Sequence, residues 1–264
     1  MRISFSKYHG TGNDFVIVDA RDAAFAISKS EIVRLCNRHF GIGSDGLIMI
    51  RKHATEDFYM DFFNPDGSQS FCGNGSRCAV AFARSLGVVA NHGVFAAIDG
   101  LHPFVVQESM VDGSIEIRIH MRDVLSIEKI NDHCVVQTGS PHYILPCDEL
   151  QSLDIIPAAH AVRYNERFKS EGINVNFVKY GNHELWMRTY ERGVEAETLS
   201  CGTGVTAAAL SLAERENEGD SIDVHTSGGS LRVTFLRNGL GGFEDVWLCG
   251  PALKVFDGEI ELEN

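Results

Sequence analysis

The sequence has no long apolar run. No stretch approaches the roughly 20 residues that a membrane-spanning helix needs, and the opening MRISFSKYHG carries no apolar core of signal-peptide length. The expectation is a soluble, cytoplasmic protein. Nor is there an excess of positive charge. The 23 Lys and Arg stand against 36 acidic residues, a net charge of -13, which argues against nucleic acid or an anionic membrane as a partner. Metal-ligand spacing is missing too. There is no HExxH and no paired CxxC, the eleven histidines are scattered, and the five residues between Cys72 and Cys78 exceed the gap of common zinc sites. No metal site is expected. Finally, the seven cysteines are an odd number, which does not suggest a disulfide framework. Reduced thiols are the expectation.

What is present is a repeat. The stretch FCGNGSRC at 71–78 returns as SCGTGVTA at 200–207, and the cysteines Cys72 and Cys201 lie 129 positions apart. TGNDFVIV at 11–18 faces TGSPHYIL at 138–145, GIGSDGLIMI at 41–50 faces GINVNFVKY at 172–180, and MDFFN at 60–64 faces MRTYE at 187–191. Four anchors in one order at nearly one offset describe a duplicated chain. The period is far above solenoid length, so each copy is a whole lobe.

Each lobe reads as strand-rich with one buried helix. DFVIVDA, GLIMI and FYMDFF are short β-branched or aromatic runs between turn residues. SIEIRIHM alternates apolar and polar residues after the hairpin signal VDGS. SRCAVAFARSL at 76–86, ended by Gly87, and VTAAALSLAERE at 205–216 read as helices small or apolar around most of their circumference, hence buried. The expected fold class is α+β: two pseudo-symmetric lobes, each a β-barrel-like sheet wrapped around a central helix. The first lobe spans 1–119 and is completed by the C-terminal strand 252–264; the second spans 120–251.

Cys36, Cys134, Cys147 and Cys249 read as buried filler, the usual place of a thiol. Cys72 and Cys201 differ, because each precedes Gly-x-Gly and a helix start. A helix N-terminus lowers a thiol pKa from its usual value near ~8.5, and its amides can hold a carboxylate. Two such helix mouths facing across a cleft would set one thiol on each side of an α-carbon. One thiolate removes the α-proton and the opposite thiol returns one, so the centre inverts without a cofactor. A closed site with aligned amides would stabilise the developing carbanion.

These residues resemble the diaminopimelate epimerase family. KYHGTGNDFVIVD, RHFGIGSDGL, FNPDGSQSFCGNGSRC, GSPHYI, EGINVNFV and YERGVEAETLSCGTG carry the resemblance through nearly the whole chain. It implies interconversion of LL- and meso-diaminopimelate, in lysine and peptidoglycan precursor synthesis, with no pyridoxal phosphate or other cofactor, and it is compatible with a homodimer. It implies that Cys72 and Cys201 are the acid/base thiols. Gly73, Asn74, Gly202 and Thr203 would offer amides to the α-carboxylate. Asn13, Asn64, Asn174 and Arg192 would hold the substrate, with Arg192 clamping the distal carboxylate through its two-pronged guanidinium. His142 and Glu191 would support the ammonium group or thiol ionisation. Without the resemblance, Asn64 reads as a turn residue in NPDG and Arg192 as a surface cation.

The chain departs from the commoner family pattern in its substrate shell. Ser140 stands where many members have Asn, and Gly46 where some have Gln. The loop from Asn64 to Cys72 is one residue short and that from Arg192 to Cys201 one residue long. Three rival readings remain at this level. A proline or hydroxyproline racemase would share the thiol logic but would not need Arg192. A dehydrogenase could claim GTGVTA as GxGxxA, yet ETLS before it is not a buried parallel strand. A binding module could keep the fold but would need only the amides, not both cysteines.

Overall fold

A computed structural model describes residues 2–22, 25–109, 112–217, 219–239 and 241–262. Contacts within it divide the chain into two compact units, residues 1–119 with 250–264 and residues 120–249.

The first unit contains β1 (Arg2–Gly10), β2 (Asn13–Asp19), α1 (Lys29–Cys36), β3 (Gly46–Arg51), β4 (Phe58–Phe63), α2 (Gly73–Ser85), β5 (His92–Ala97), β6 (Gly100–Ser109) and most of β7 (Ile115–His120). The second contains β8 (Glu128–Ile130), β9 (His133–Gln137), β10 (Pro141–Pro146), α3 (Ile155–Arg163), β11 (Asn174–Tyr180), β12 (Glu184–Glu191), β13 (Ala196–Thr198), α4 (Gly202–Glu216), β14 (Ser221–Thr226) and β15 (Gly229–Arg237). The long strand β16 (Phe243–Glu261) begins in the second unit and ends in the first.

In the first unit the strands run β1-β2-β3-β4-β5-β6-β7-β16, and β16 pairs back onto β1. The eight strands therefore close into a barrel, which leaves no sheet edge unpaired. Helix α2 packs against β1, β2, β3, β4 and β6 from inside. Its residues Gly73 to Ala83 are all buried, as its small and apolar sequence requires. Strands β2 and β3 are apolar on both faces because both faces are covered: Val16, Val18, Leu47 and Met49 pack with Ile32 and Leu35 of α1, while the alternate residues turn to α2. A capping box opens α1, with Ser28 and Glu31 exchanging bonds across the first turn.

The second unit also wraps a sheet around a central helix. Its strands run β8-β9-β10-β11-β12-β14-β15-β16, with β13 on β12 off that path. Helix α4 packs against β9, β10, β11, β12, β14 and β15. On the other face α3 covers β11 and β12, where Ile155 and Ala159 meet Val175, Phe177 and Tyr190. The sheet-around-a-helix architecture is the one the sequence implied.

One detail differs from the sequence reading. Both central helices begin three residues earlier than expected, at Gly73 and Gly202, so each Gly-x-Gly is the first helical turn and each cysteine is the N-cap. The carbonyls of Cys72 and Cys201 accept the first helical bonds, from Ser76 and Val205. Of the hairpin signal VDGS, Val111 lies outside the described residues; Ser114 bonds the Asp112 carboxylate at 2.6 Å through its hydroxyl.

Candidate active site

In the first unit the β1-β2 turn and the start of α2 bring Asn13, Cys72 and Asn74 together. The Cys72 sulfur takes the Gly75 N–H at 3.4 Å and lies 3.7 Å from Asn13 Oδ1. Asn74 Nδ2 donates to the same Oδ1 at 3.2 Å. Asn13 is oriented from behind, since its Nδ2 donates to the Asp45 carboxylate at 2.7 Å. Asn74 is oriented in the same way by Arg77, a fully buried guanidinium whose Nη2 donates to Asn74 Oδ1 at 2.9 Å. A carboxylate can only accept and a guanidinium can only donate, so both amide orientations follow. Asn13 therefore turns an acceptor oxygen toward the Cys72 sulfur.

Asn64 sits apart. Its amide bonds Ser68 and Ser70 within its own loop, at 3.0 and 3.2 Å, the turn role that NPDG suggested. Gly46 has no room for a side chain. A Cβ there would fall 2.3 Å from the Phe62 ring.

In the second unit, β10, β11 and the start of α4 gather Cys201, Thr203 and His142. Cys201 is buried and its sulfur lies 3.5 Å from Thr203 Oγ1. His142 Nε2 lies 2.9 Å from the same hydroxyl, and Thr138 donates to the Thr203 carbonyl at 2.9 Å. The His142 ring is wholly buried. Burial first, and then the positive charge of Arg192, push it down to about 3, so the ring is neutral at physiological pH.

A second group lies beside it. Asn174 Nδ2 reaches Ser140 Oγ at 3.0 Å and the Pro141 carbonyl at 3.1 Å, while its Oδ1 accepts the Arg192 backbone N–H at 2.8 Å. The Arg192 guanidinium bonds the Glu171 carbonyl at 2.9 Å and Ser140 Oγ at 3.3 Å. Glu191 ends β12 and accepts from Thr198 at 3.0 Å. The other cysteines are packing residues: Cys36, Cys78, Cys134 and Cys249 are buried and Cys147 half-buried, and burial pushes the Cys134 thiol up to about 11.

Sequence reasoning did not find Asp45, Arg77, Asn176 and Thr189, which orient the residues it did find. The one available signal was Asn176 in GINVNFV: a second Asn two residues after Asn174, on the same face of a strand whose intervening residues are apolar. Among the described residues no three His, Cys, Asp or Glu side chains gather as a metal set, and no helix is long and apolar enough to cross a membrane.

The model of a family described as diaminopimelate epimerase matches residues 5–123 and 134–246. The chain is similar to a diaminopimelate epimerase from Flavobacterium psychrophilum, 40% identical over 259 residues that span 96% of this chain and 98% of the relative. A diaminopimelate epimerase from Aquifex aeolicus is 35% identical, spanning 99% of each chain. Among solved structures, a phenazine biosynthesis protein of the PhzF family from Bacillus anthracis superposes with a TM-score of 0.75 at 16% identity, over 99% of this chain and 100% of that one. A hydroxyproline epimerase from Agrobacterium vitis, with bound trans-4-hydroxy-L-proline, superposes with a TM-score of 0.73 at 13% identity, over 100% of this chain and 93% of that one. At those identities the likeness is one of fold.

Proposed function

Because the chain belongs to the diaminopimelate epimerase family, we propose that it interconverts LL- and meso-diaminopimelate without a cofactor, using Cys72 and Cys201 as its two bases. The observation that carries this reading is the matched placement of the two thiols, each as N-cap of a buried central helix that opens on Gly-x-Gly.

The chemistry follows from that placement. The amides of Gly73, Asn74, Gly202 and Thr203 stand in the first turns of the two helices, where a helix N-terminus favours an anion, and they receive the α-carboxylate. One cysteine, as thiolate, takes the α-proton from one face of the carbon; the other, as thiol, gives a proton to the opposite face. After turnover the two have exchanged protonation states, which readies the protein for the reverse reaction. Asn13, Asn64 and Asn174 bond the substrate, and Arg192 binds the distal carboxylate, the group that distinguishes diaminopimelate from lysine and proline. His142, neutral at working pH, acts as a hydrogen-bonding group and not as a cation; Glu191 is the acidic partner for substrate ammonium.

The test is turnover of LL-diaminopimelate by the purified protein without added cofactor, with product stereochemistry read by chiral chromatography. Lysine and proline are run alongside. Formation of meso-diaminopimelate alone supports the reading, and faster turnover of proline overturns the substrate assignment.

A further inference from the structure

The two units can be aligned residue by residue through their strand ladders. Phe15 pairs Gly46 across β2 and β3, as His142 pairs Asn174 across β10 and β11, both in parallel ladders. Ile48 then pairs Phe62 across β3 and β4, as Asn176 pairs Thr189 across β11 and β12. His142, Asn176 and Thr189 thus occupy the positions of Phe15, Ile48 and Phe62. In the first unit these are apolar, and Phe15 meets Phe62 edge to face at 5.9 Å. In the second unit all three are polar although they are 0%, 0% and 3% exposed. The fold needs only apolar packing there, and burying polar groups is unfavourable unless every one is bonded.

They are bonded in a directed order. Asn176 Nδ2 donates to the Tyr143 carbonyl at 3.2 Å, and Asn176 Oδ1 accepts from Thr189 Oγ1 at 3.0 Å. A carbonyl can only accept, so the amide orientation is set. The same Nδ2 faces His142 Nδ1 at 3.2 Å, which makes Nδ1 the acceptor and puts the ring hydrogen on Nε2. Nε2 then donates to Thr203 Oγ1, and the Thr203 hydroxyl hydrogen is left to point at the Cys201 sulfur. Gly204 admits this arrangement against α4, since a Cβ there would lie 2.7 Å from Asn176 Oδ1 and 3.3 Å from the His142 ring.

We propose that Asn176 and Thr189 are positioning residues that hold His142 as the neutral Nε2–H tautomer, and so make the Thr203 hydroxyl a hydrogen-bond donor to the Cys201 sulfur. This stabilises the thiolate of Cys201; in the first unit the Cys72 sulfur instead takes the Gly75 N–H and lies 3.7 Å from the Asn13 acceptor. The groups facing the network are His142 from β10 and, through its charge, Arg192 beyond β12; β11, β12 and α4 contribute Asn176, Thr189 and Thr203. The inference rests on the reading of Cys201 as an acid/base thiol, but its test needs no substrate.

Iodoacetamide labelling across pH, quantified for each cysteine by peptide mass spectrometry, gives the ionisation midpoint of Cys201 and of Cys72 separately. Thr203→Val keeps shape and backbone amide but removes the donor. Its Cys201 midpoint is expected to rise by about one pH unit, with labelling near neutral pH slowed about tenfold, the size of one charge-assisted hydrogen bond. Thr203→Ser restores the wild-type midpoint, and Cys72 does not move. Asn176→Asp puts an acceptor against Nδ1, which moves the ring hydrogen there and turns the Thr203 hydroxyl toward Nε2; the Cys201 midpoint rises likewise. An unchanged Cys201 midpoint in folded Thr203→Val, or an equal shift of both thiols, overturns the proposal. Should Asn176→Asp fail to fold, the Thr203 pair alone decides. Failure of diaminopimelate turnover would leave these midpoints readable, so the two readings fall separately.

Discussion

Arg192 and Ser140 share a hydrogen bond, guanidinium Nη2 to hydroxyl oxygen, at 3.3 Å. Asn174 Nδ2 donates to the same oxygen at 3.0 Å, so both lone pairs of the hydroxyl are engaged and its hydrogen is the group left to give. Ser140 thus joins Arg192 to Asn174. It anchors Arg192 and remains a donor.

Arg192→Lys keeps the charge but loses the fork, and is expected to lower kcat/KM for diaminopimelate at least about tenfold, about 1.4 kcal/mol. Arg192→Ala should cost several hundredfold. Ser140→Ala should act chiefly on KM, because it loosens the clamp and leaves the thiols untouched. Steady-state kinetics on the three variants decides; an Arg192→Ala protein with wild-type kcat/KM would remove the guanidinium from the site.

His142 makes stability depend on pH in a stated direction. Its folded pKa is depressed to about 3 by burial and by Arg192, below the usual ~6.5 of the unfolded chain. The unfolded state therefore binds the extra proton between these values. The contribution is fully present above about pH 6.5 and is lost as pH falls, by up to about 1.4 kcal/mol per pH unit. Urea unfolding of wild type and His142→Gln from pH 7 to pH 4 should show a shallower decline in the variant. Parallel declines would mean that the ring is not held neutral.

The paired glycines Gly75 and Gly204 should respond unequally to alanine. At Gly204 the new Cβ meets Asn176 Oδ1 at 2.7 Å, an atom fixed by its own bond to Thr189; at Gly75 the nearest atom is a terminal methyl of Ile48 at 3.2 Å. Gly204→Ala is expected to destabilise by about 1–3 kcal/mol and Gly75→Ala by less. Chemical denaturation of both variants measures the order.

Arg77 is expected to matter to the site through Asn74. Arg77→Met removes the donor to Asn74 Oδ1, a buried hydrogen bond from a charged group, at about 1.5–3 kcal/mol. Both the unfolding midpoint and kcat should fall, whereas Arg84→Met, at the far end of the same helix, should leave kcat unchanged.

Much of this was legible in the chain itself. Cys72 and Cys201 could be paired because the same Gly-x-Gly follows each, and strands such as GLIMI and FYMDFF declared themselves by β-branched and aromatic runs. The helix starts were read three residues late, since glycine argues against helix on propensity alone. Gly204 is glycine because His142 and Asn176 need the space, a fact that belongs to packing. Asn176 itself was hidden for a related reason: its partners His142 and Thr189 are distant in sequence and meet it only through strand register. Asn64 shows the reverse case, where the local NPDG signal gave the loop bonds that the structure contains.

The central claim is that two thiols, one from each unit, move the α-proton. The direct measurement is incubation of the wild-type protein with LL-diaminopimelate in D₂O, sampled early, with deuterium and stereochemistry read in substrate and product. Meso-diaminopimelate should carry one solvent deuterium at the inverted carbon, while remaining LL-diaminopimelate stays protonated there, because the thiol that delivers the proton is not the one that removed it. Product without deuterium, or recovered substrate labelled as fast as product forms, would contradict the two-base account.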